Sequence, residues 1–193
     1  SRFRSSTFLG CTATGVIGGG QEIEDRAAVA MMAAVLPGVE IHPFRLQADD
    51  LPDLDEAPDH WLNAIGLAPR PRPHFIVLVD PTGDSPFDPR PLLMGLDFAF
   101  PNATKVGGLA SVLQGNRLFL NEHVISGGCV GVALHGNLEV DTVVAQGCRP
   151  IGGPMVITDC SGYYLTELDE RSAVEVLVEE DQHGSALHPE GDR

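Results

Sequence analysis

The chain of 193 residues is 43% hydrophobic, 20% charged and only 6% aromatic, a composition that supports a folded core and excludes extensive disorder. Its 12 basic and 27 acidic residues give a net charge of −15, which disfavours nucleic acid and anionic membrane surfaces as partners. The longest apolar run, Ala27–Leu36, is about half as long as a membrane-spanning helix requires. We therefore expect a folded domain that binds neither nucleic acid nor a membrane.

The cysteines are spread along the chain without any C-x-x-C pair, at Cys11, Cys129, Cys148 and Cys160. This spacing is not that of a zinc site or of a dense disulfide framework. The sequence also shows no apolar signal-peptide core near Ser1. Free thiols and a cytoplasmic location are the simplest interpretation.

The N-terminal part of the chain predicts short strands and loops. Thr7–Cys11 is an apolar run that leads into a glycine-rich loop over residues 15–20. Ala27–Leu36 and Val39–Leu46 flank a Pro37-Gly38 turn and predict a hairpin. A helix over the first of these runs is the competing interpretation, because Ala and Met are good helix formers.

The rest of the chain predicts more strands than helices. Pro58 and Pro89 occupy helix starts, and Asp88 is placed to cap the second helix. The predicted helices are Pro58–Ile65, Pro89–Ala99 and a third that Asp169 caps; the predicted strands are His74–Val79, Lys105–Ala110, Arg117–Asn121, Cys129–Leu134, Leu138–Ala145 and Tyr163–Leu168. The last dozen residues are expected to form a frayed tail.

An internal repeat relates two parts of the chain. Ala30–Ile41 (AMMAAVLPGVEI) aligns without gaps with Cys129–Val140 (CVGVALHGNLEV). The predicted fold class is therefore α+β, with internally duplicated β-α-β-β-β units forming mixed sheets that a few helices cover. The first unit lacks an opening strand and helix, so we expect the chain to be a fragment. Chance similarity of short apolar runs is the alternative.

The sequence carries none of the common catalytic or cofactor-binding motifs. The sequence contains no G-x-G-x-x-G after a strand, no P-loop, no G-x-S-x-G and no H-E-x-x-H. Its seven histidines are dispersed without metal-ligand spacing. We therefore predict no enzyme activity, no metal and no cofactor.

Two glycine-rich loops are the predicted ligand site. The first carries Thr12, Thr14 and Gly15, whose small side chains and hydroxyls allow a ligand close to the backbone. The second carries Cys148, Arg149 and Gly152. The Arg149 guanidinium is a rigid donor fork for a carboxylate, so we expect both loops to line one pocket. The alternatives are a structural turn for the first loop and an interdomain linker for the second. A third loop, residues 101–108, holds the only lysine, Lys105, which is expected to be a solvated side chain.

Several segments together resemble the FIST family, a sensory domain with N and C parts. They are LGCTATGVIGGGQEIED, FPNATKVGGLAS, LFLNE, GVALHGNLEVDTVVAQGCRPIG and YYLTELDERSAVEVL. The resemblance implies an intracellular signal-transduction domain that binds small ligands such as amino acids. It also implies an N-domain over residues 1–153, without its first strand and helix, and the beginning of a C-domain over residues 154–193.

Two other functions remain open at this point. Family members fused to an F-box imply a protein-interaction module of ubiquitin-ligase substrate receptors. An enzyme with Cys148 as nucleophile is the third possibility, and it requires a base such as His135 within reach.

Overall fold

The computed structural model of the chain describes residues 6–24, 26–68, 72–82, 87–112, 115–143, 153–161 and 164–187. Within these ranges the chain forms twelve strands and three α-helices, which confirms the strand-rich α+β class. In chain order they are β1 (Leu9–Cys11), β2 (Gly15–Gly18), β3 (Gln21–Glu24), β4 (Val39–Leu46), α1 (Pro58–Ala64), β5 (His74–Asp80), α2 (Pro89–Ala99), β6 (Lys105–Leu109), β7 (Leu118–Leu120), β8 (His123–Ile125), β9 (Gly128–Gly136), β10 (Ile157–Ser161), β11 (Tyr164–Leu168), β12 (Arg171–Ser172) and α3 (Ala173–Leu187).

The chain divides into two compact units, residues 1–142 and 143–193. The larger unit is built on a four-stranded mixed sheet in the order β4-β9-β5-β6. β9 runs antiparallel to both of its neighbours, whereas β5 and β6 are parallel and are connected through α2. Gly128–Leu134 of β9 is buried without interruption, as expected for a strand that is covered on both faces.

Helices α1 and α2 cover one face of this sheet. Trp61 of α1 is fully buried against α2, where its ring lies so close to Gly95 that a Cβ atom there would overlap it. The helices and the facing sides of β4, β5 and β9 share one core, which includes Phe44, Leu46, Ile65, Phe75, Val77, Leu92 and Leu96. At the start of α2 the Asp88 carboxylate accepts a hydrogen bond from the Arg90 backbone N–H at 2.9 Å, so the predicted cap is confirmed.

A smaller sheet, β1-β7-β8, packs on the opposite face. Leu118 and Ile125 from this sheet meet Val130 of β9 in a second core, with Leu9 and Leu78 at its border. The carboxyl end of β1 and the amino end of β7 are thereby placed beside the loop that leaves β6.

The predicted glycine-rich loop is a β-hairpin. β2 and β3 pair antiparallel from Gly15–Glu24 to Gly18–Gln21, and the two residues of the turn, Gly19 and Gly20, both have positive φ. Such turns match the twist of the flanking strands and favour glycine at both positions.

The strand predicted over Ala27–Leu36 is wrong: these residues form neither strand nor helix and are mostly exposed. The Pro37-Gly38 turn exists, with a hydrogen bond from the Val39 N–H to the Leu36 carbonyl at 3.2 Å. β4 instead pairs with β9, the strand that aligns with Ala30–Leu36 in the repeat. Ala and Met have low strand propensity, so the first run has little intrinsic tendency to pair by itself. The aligned runs Ala30–Leu36 and Cys129–His135 therefore do not form equivalent strands.

The smaller unit contains the antiparallel sheet β10-β11-β12 and helix α3. The prediction that Asp169 caps α3 is wrong. Asp169 lies in the β11–β12 turn, where its carboxylate accepts from the Val156 N–H at 2.9 Å. Two further predictions are corrected. Residues 138–143 form no strand, and the helix extends to Leu187, into the predicted tail.

Candidate functional site

The carboxyl ends of β5 and β6 meet at a buried carboxylate, that of Asp80, whose residue is only 1% exposed. Its Oδ1 accepts from the Thr82 N–H at 3.0 Å, the Thr82 hydroxyl at 2.9 Å and the Asn116 amide at 3.2 Å. Its Oδ2 accepts from the Gly127 N–H at 2.8 Å. Asp80 therefore joins the loops that follow β5 and β6 to the loop that precedes β9.

The hydrogen bonds decide the charge of Asp80. Burial raises the pKa of a carboxyl group, but the hydrogen bonds from Gly127, Thr82 and Asn116 outweigh that effect and hold the pKa of Asp80 below its usual range. An ionised carboxylate offers about four acceptor positions. Three donors bond Oδ1 and one bonds Oδ2, so this buried group braces the fold.

Asn116 extends the brace into the loop after β6. This buried side chain accepts from the Val112 N–H at 2.8 Å and donates to the Ala110 carbonyl at 3.1 Å and to the Thr82 hydroxyl at 2.8 Å. The amide thus closes the loop on itself and ties it to Asp80.

Thr12, a predicted site residue, lies beside this loop. Its N–H donates to the Arg117 carbonyl at 2.9 Å, and its hydroxyl accepts from the Arg117 N–H at 3.0 Å. Its carbonyl accepts from the Ser111 N–H at 3.2 Å. The hydroxyl that was expected to hold a ligand is therefore engaged by the backbone. Thr14 is exposed just beyond it, and Gly15 begins β2.

The remaining predicted site residues, Cys148, Arg149 and Gly152, lie outside the described residues. The single pocket shared by both glycine-rich loops therefore stays a prediction.

A depression lies at the other end of the sheet, where β5 and β6 begin and β9 ends. Its volume is about 780 Å³. It is lined by Arg72, His74, Asn102, His135, Gly136, Leu138, Glu139, Val140 and Asp141. Because β5 spans seven residues, this depression is roughly 20 Å from the Asp80 brace.

Hydrogen bonds fix the wall of the depression. The His74 ring accepts from the Thr104 N–H through Nδ1 at 3.2 Å, and the Thr104 hydroxyl donates to the Val140 carbonyl at 3.4 Å. The first strand of the β5–β6 pair is thereby tied to the segment after β9. The polar wall is held by hydrogen bonds within the chain itself, as is usual for small-molecule sites.

Charged groups of both signs surround this wall. Arg72, Glu139 and Asp141 are exposed at its rim. Among the described residues, no hydrogen bond or ion pair engages the side chains of these three. Arg72 has a positive φ of 53°, an uncommon backbone conformation for arginine. The depression therefore presents a guanidinium and two carboxylates that the described part of the fold does not use.

Lys105, the lysine of the third predicted loop, has a structural role. Its side chain is 10% exposed, and Nζ donates to the Phe100 carbonyl and pairs with the Asp97 carboxylate, each at 2.7 Å. A cation at this position stabilises the carboxyl end of α2. The expectation of a solvated lysine is therefore wrong.

Two features are absent from the described ranges. No group of three His, Cys, Asp or Glu side chains there is arranged to hold a metal ion. None of the helices described has the length and apolar character needed to cross a bilayer.

The depression was missed in the sequence because its residues are far apart in the chain. His74 and His135 were treated as dispersed, and only the register of β5 on β9 places their strand ends side by side. A weak signal existed: polar residues directly flank two strongly apolar strands at the same end of the sheet.

Comparison with known proteins gives one family and several relatives. The model of the FIST N domain matches residues 1–171. The uncharacterized protein Rv0628c of Mycobacterium tuberculosis is 32% identical over 177 residues, which are 90% of this chain and 43% of that protein. The uncharacterized protein Mb0898c of Mycobacterium bovis is 31% identical over 175 residues, 89% of this chain and 42% of that protein.

The chain thus spans less than half the length of these relatives. No solved structure matches it significantly. With the family model covering most of the chain, the resemblance seen in the glycine-rich motifs is confirmed: the chain belongs to the FIST family of sensory, signal-transduction domains.

Proposed function

We propose that this sensory domain binds a small zwitterionic ligand of the amino-acid class, and that it does so in the depression at the start of β5 and β6. The observation that carries the proposal is the combination of the Arg72 guanidinium with the carboxylates of Glu139 and Asp141 around one concave polar wall. An α-amino acid carries the complementary pair of charges.

Each group has a definite part in binding. Arg72 offers a planar fork of donors that suits an α-carboxylate. Glu139 and Asp141 offer acceptors to the ammonium group, and His135 and Asn102 supply further hydrogen bonds. A ligand that contacts both Arg72, before β5, and residues 138–141, after β9, connects these two segments. This connection is how binding would produce a signal.

The experiment is calorimetric titration of an amino-acid panel against the chain and three arginine variants. We expect Arg72→Ala to weaken binding by about tenfold, which corresponds to the loss of one solvent-exposed, charge-assisted hydrogen bond. Arg45→Ala is the matched control. Arg45 is also exposed, but it lies near the carboxyl end of β4, at the end of the sheet away from the depression. Arg149→Ala tests the site predicted from the sequence. Loss of binding in Arg149→Ala but not in Arg72→Ala would place the ligand in the predicted loops.

Protein interaction is the second candidate, and the Ala27–Leu36 segment favours it. Val29, Met31, Met32 and Val35 are exposed by 84%, 77%, 91% and 91%. Contiguous exposed apolar residues of this kind are typical of protein-binding surfaces, and methionine adapts to varied partners. Such a surface suits the interaction role that is expected from family members fused to an F-box.

A capture experiment tests this candidate. The chain and its Met32→Lys/Val35→Lys variant are used as bait at equal concentration, and bound proteins are identified by mass spectrometry. A partner that the variant loses supports an interaction role for the segment. If the chain and the variant capture the same proteins, the Ala27–Leu36 segment has no part in binding them.

A further inference from the structure

The charges at the rim of the depression are unequal. One guanidinium, Arg72, faces two carboxylates, Glu139 and Asp141. A ligand with one anionic and one cationic group satisfies Arg72 and a single carboxylate. The second carboxylate then remains without a counter-charge.

The two carboxylates are arranged for two separate cations. Burial alternates from Leu138 to Asp141, with half-buried residues at 138 and 140 and exposed residues at 139 and 141. This alternation is typical of extended backbone, in which residues two apart project to the same side at roughly 6.6 Å spacing. The α-ammonium and the terminal cation of a basic amino acid are separated by a chain of similar length.

We infer that the depression selects basic amino acids, whose α-carboxylate pairs with Arg72 and whose two cationic groups pair with Glu139 and Asp141. This inference rests on the proposed function. An acidic ligand would bring a second carboxylate against Glu139 and Asp141, and a neutral ligand leaves one of them unpaired. The net charge of −15 adds a general attraction for cations, which steers such ligands toward the surface.

The test compares lysine with norleucine, which has the same α-carbon and methylene chain but no terminal ammonium. We expect lysine to bind up to about fivefold tighter than norleucine at low salt, the ratio for one exposed ion pair. Glutamate should bind more weakly than norleucine. Glu139→Gln and Asp141→Asn should each reduce the lysine-to-norleucine ratio, and the double variant should bring it close to one.

A control variant distinguishes the effect of the rim carboxylates on ligand preference from the effect of the net charge of the whole chain. Glu122→Gln removes one exposed negative charge from the β7–β8 turn, outside the depression. If this variant reduces the ratio as much as Asp141→Asn does, the preference comes from the overall charge and the inference is overturned. Equal binding of lysine and norleucine overturns it as well but leaves the proposed function intact. Failure of every amino acid to bind overturns the proposed function itself.

Discussion

At the scale of single residues, Asp80 organises the carboxyl end of the central sheet. Its carboxylate is buried, and its four hydrogen bonds come from three different loops. A buried charge without such partners would destabilise the fold by several kcal/mol, so the donors together retain the ionised form.

Replacing Asp80 by Asn should destabilise the chain by about 2–3 kcal/mol at pH 7, because hydrogen bonds to a charged acceptor are lost and the new amide N–H faces other donors. The folded-state pKa of Asp80 is lowered. The stability that this carboxylate contributes is therefore present above its unfolded-state pKa of about 3.9 and is lost as the pH falls through the folded-state value. Asp80→Asn should lose less stability than the parent chain between pH 5 and pH 3.

Urea unfolding followed by the fluorescence of Trp61, the single tryptophan, measures this effect. Glu22→Gln, an exposed carboxylate on β3, is the control. Parallel pH profiles for the parent chain and Asp80→Asn would show that the brace contributes nothing.

Two cysteines, Cys129 and Cys160, are expected to differ in their reactivity toward an alkylating reagent. Burial raises the pKa of the Cys129 thiol to about 12, so the reactive thiolate is absent at neutral pH. Cys160 is exposed on β10. We expect iodoacetamide at pH 8 to modify Cys160 within minutes and Cys129 only after denaturant is added, as peptide mapping by mass spectrometry would show. Modification of Cys129 in the folded chain at the rate of Cys160 would contradict this assignment.

At the scale of elements, the β5–β6 pair depends on close backbone approach at Gly107. A Cβ atom built on Gly107 would lie 1.7 Å from the Val77 carbonyl oxygen, whereas one built on Gly108 would meet nothing within 4 Å. Gly107 has no room for a side chain and Gly108 has, so the two neighbouring glycines serve as a test position and its control.

Gly107→Ala should destabilise the chain by about 1–3 kcal/mol, since β5 and β6 must move apart to admit the methyl group. Gly108→Ala should be neutral or slightly stabilising, because alanine loses less backbone entropy on folding. Midpoints of chemical unfolding give both values. Equal midpoints for the two variants would show that the sheet relaxes freely at this position.

Local signals made some elements predictable. The boundaries of α2 follow from Asp88, Pro89 and Pro101, all of which act within one turn of the helix end. The β2–β3 hairpin was missed although its signal is local: Gly19-Gly20 separates two short strands.

Other features depend on contacts between distant parts of the chain. Ala27–Leu36 is apolar enough for a strand, but sequence alone does not tell which strand pairs with β4; in the fold that strand is β9, about ninety residues later. The candidate site has the same origin. Arg72, Asn102 and Asp141 approach one another only through the register of three strands, and Asp80 meets Gly127 across the same sheet.

At the scale of the whole molecule, the net charge of −15 opposes folding through the repulsion of like charges. Salt screens this repulsion, because the Debye length falls from about 10 Å at 0.1 M to about 3 Å at 1 M. We expect the Tm at pH 7.5 to rise by a few degrees, roughly the effect of 1 kcal/mol, when NaCl is raised from about 0.05 to 0.5 M.

The same measurement near the isoelectric point is the control. The pI is close to 4.6, so at pH 5 little net charge remains to be screened and the salt dependence should nearly vanish. A Tm that falls with added salt at pH 7.5 would mean that attractive ion pairs outweigh the net repulsion.

The lysine at the end of α2 has a consequence for chemical modification. Acetylation, methylation and ubiquitin attachment all require the free amine of a lysine side chain. The sequence contains one such amine, that of Lys105, and it is nine-tenths covered and held between the Phe100 carbonyl and the Asp97 carboxylate. An enzyme or reagent that acylates lysine must first break these two contacts, so the rate of acylation measures how often the Lys105 side chain leaves the carboxyl end of the helix.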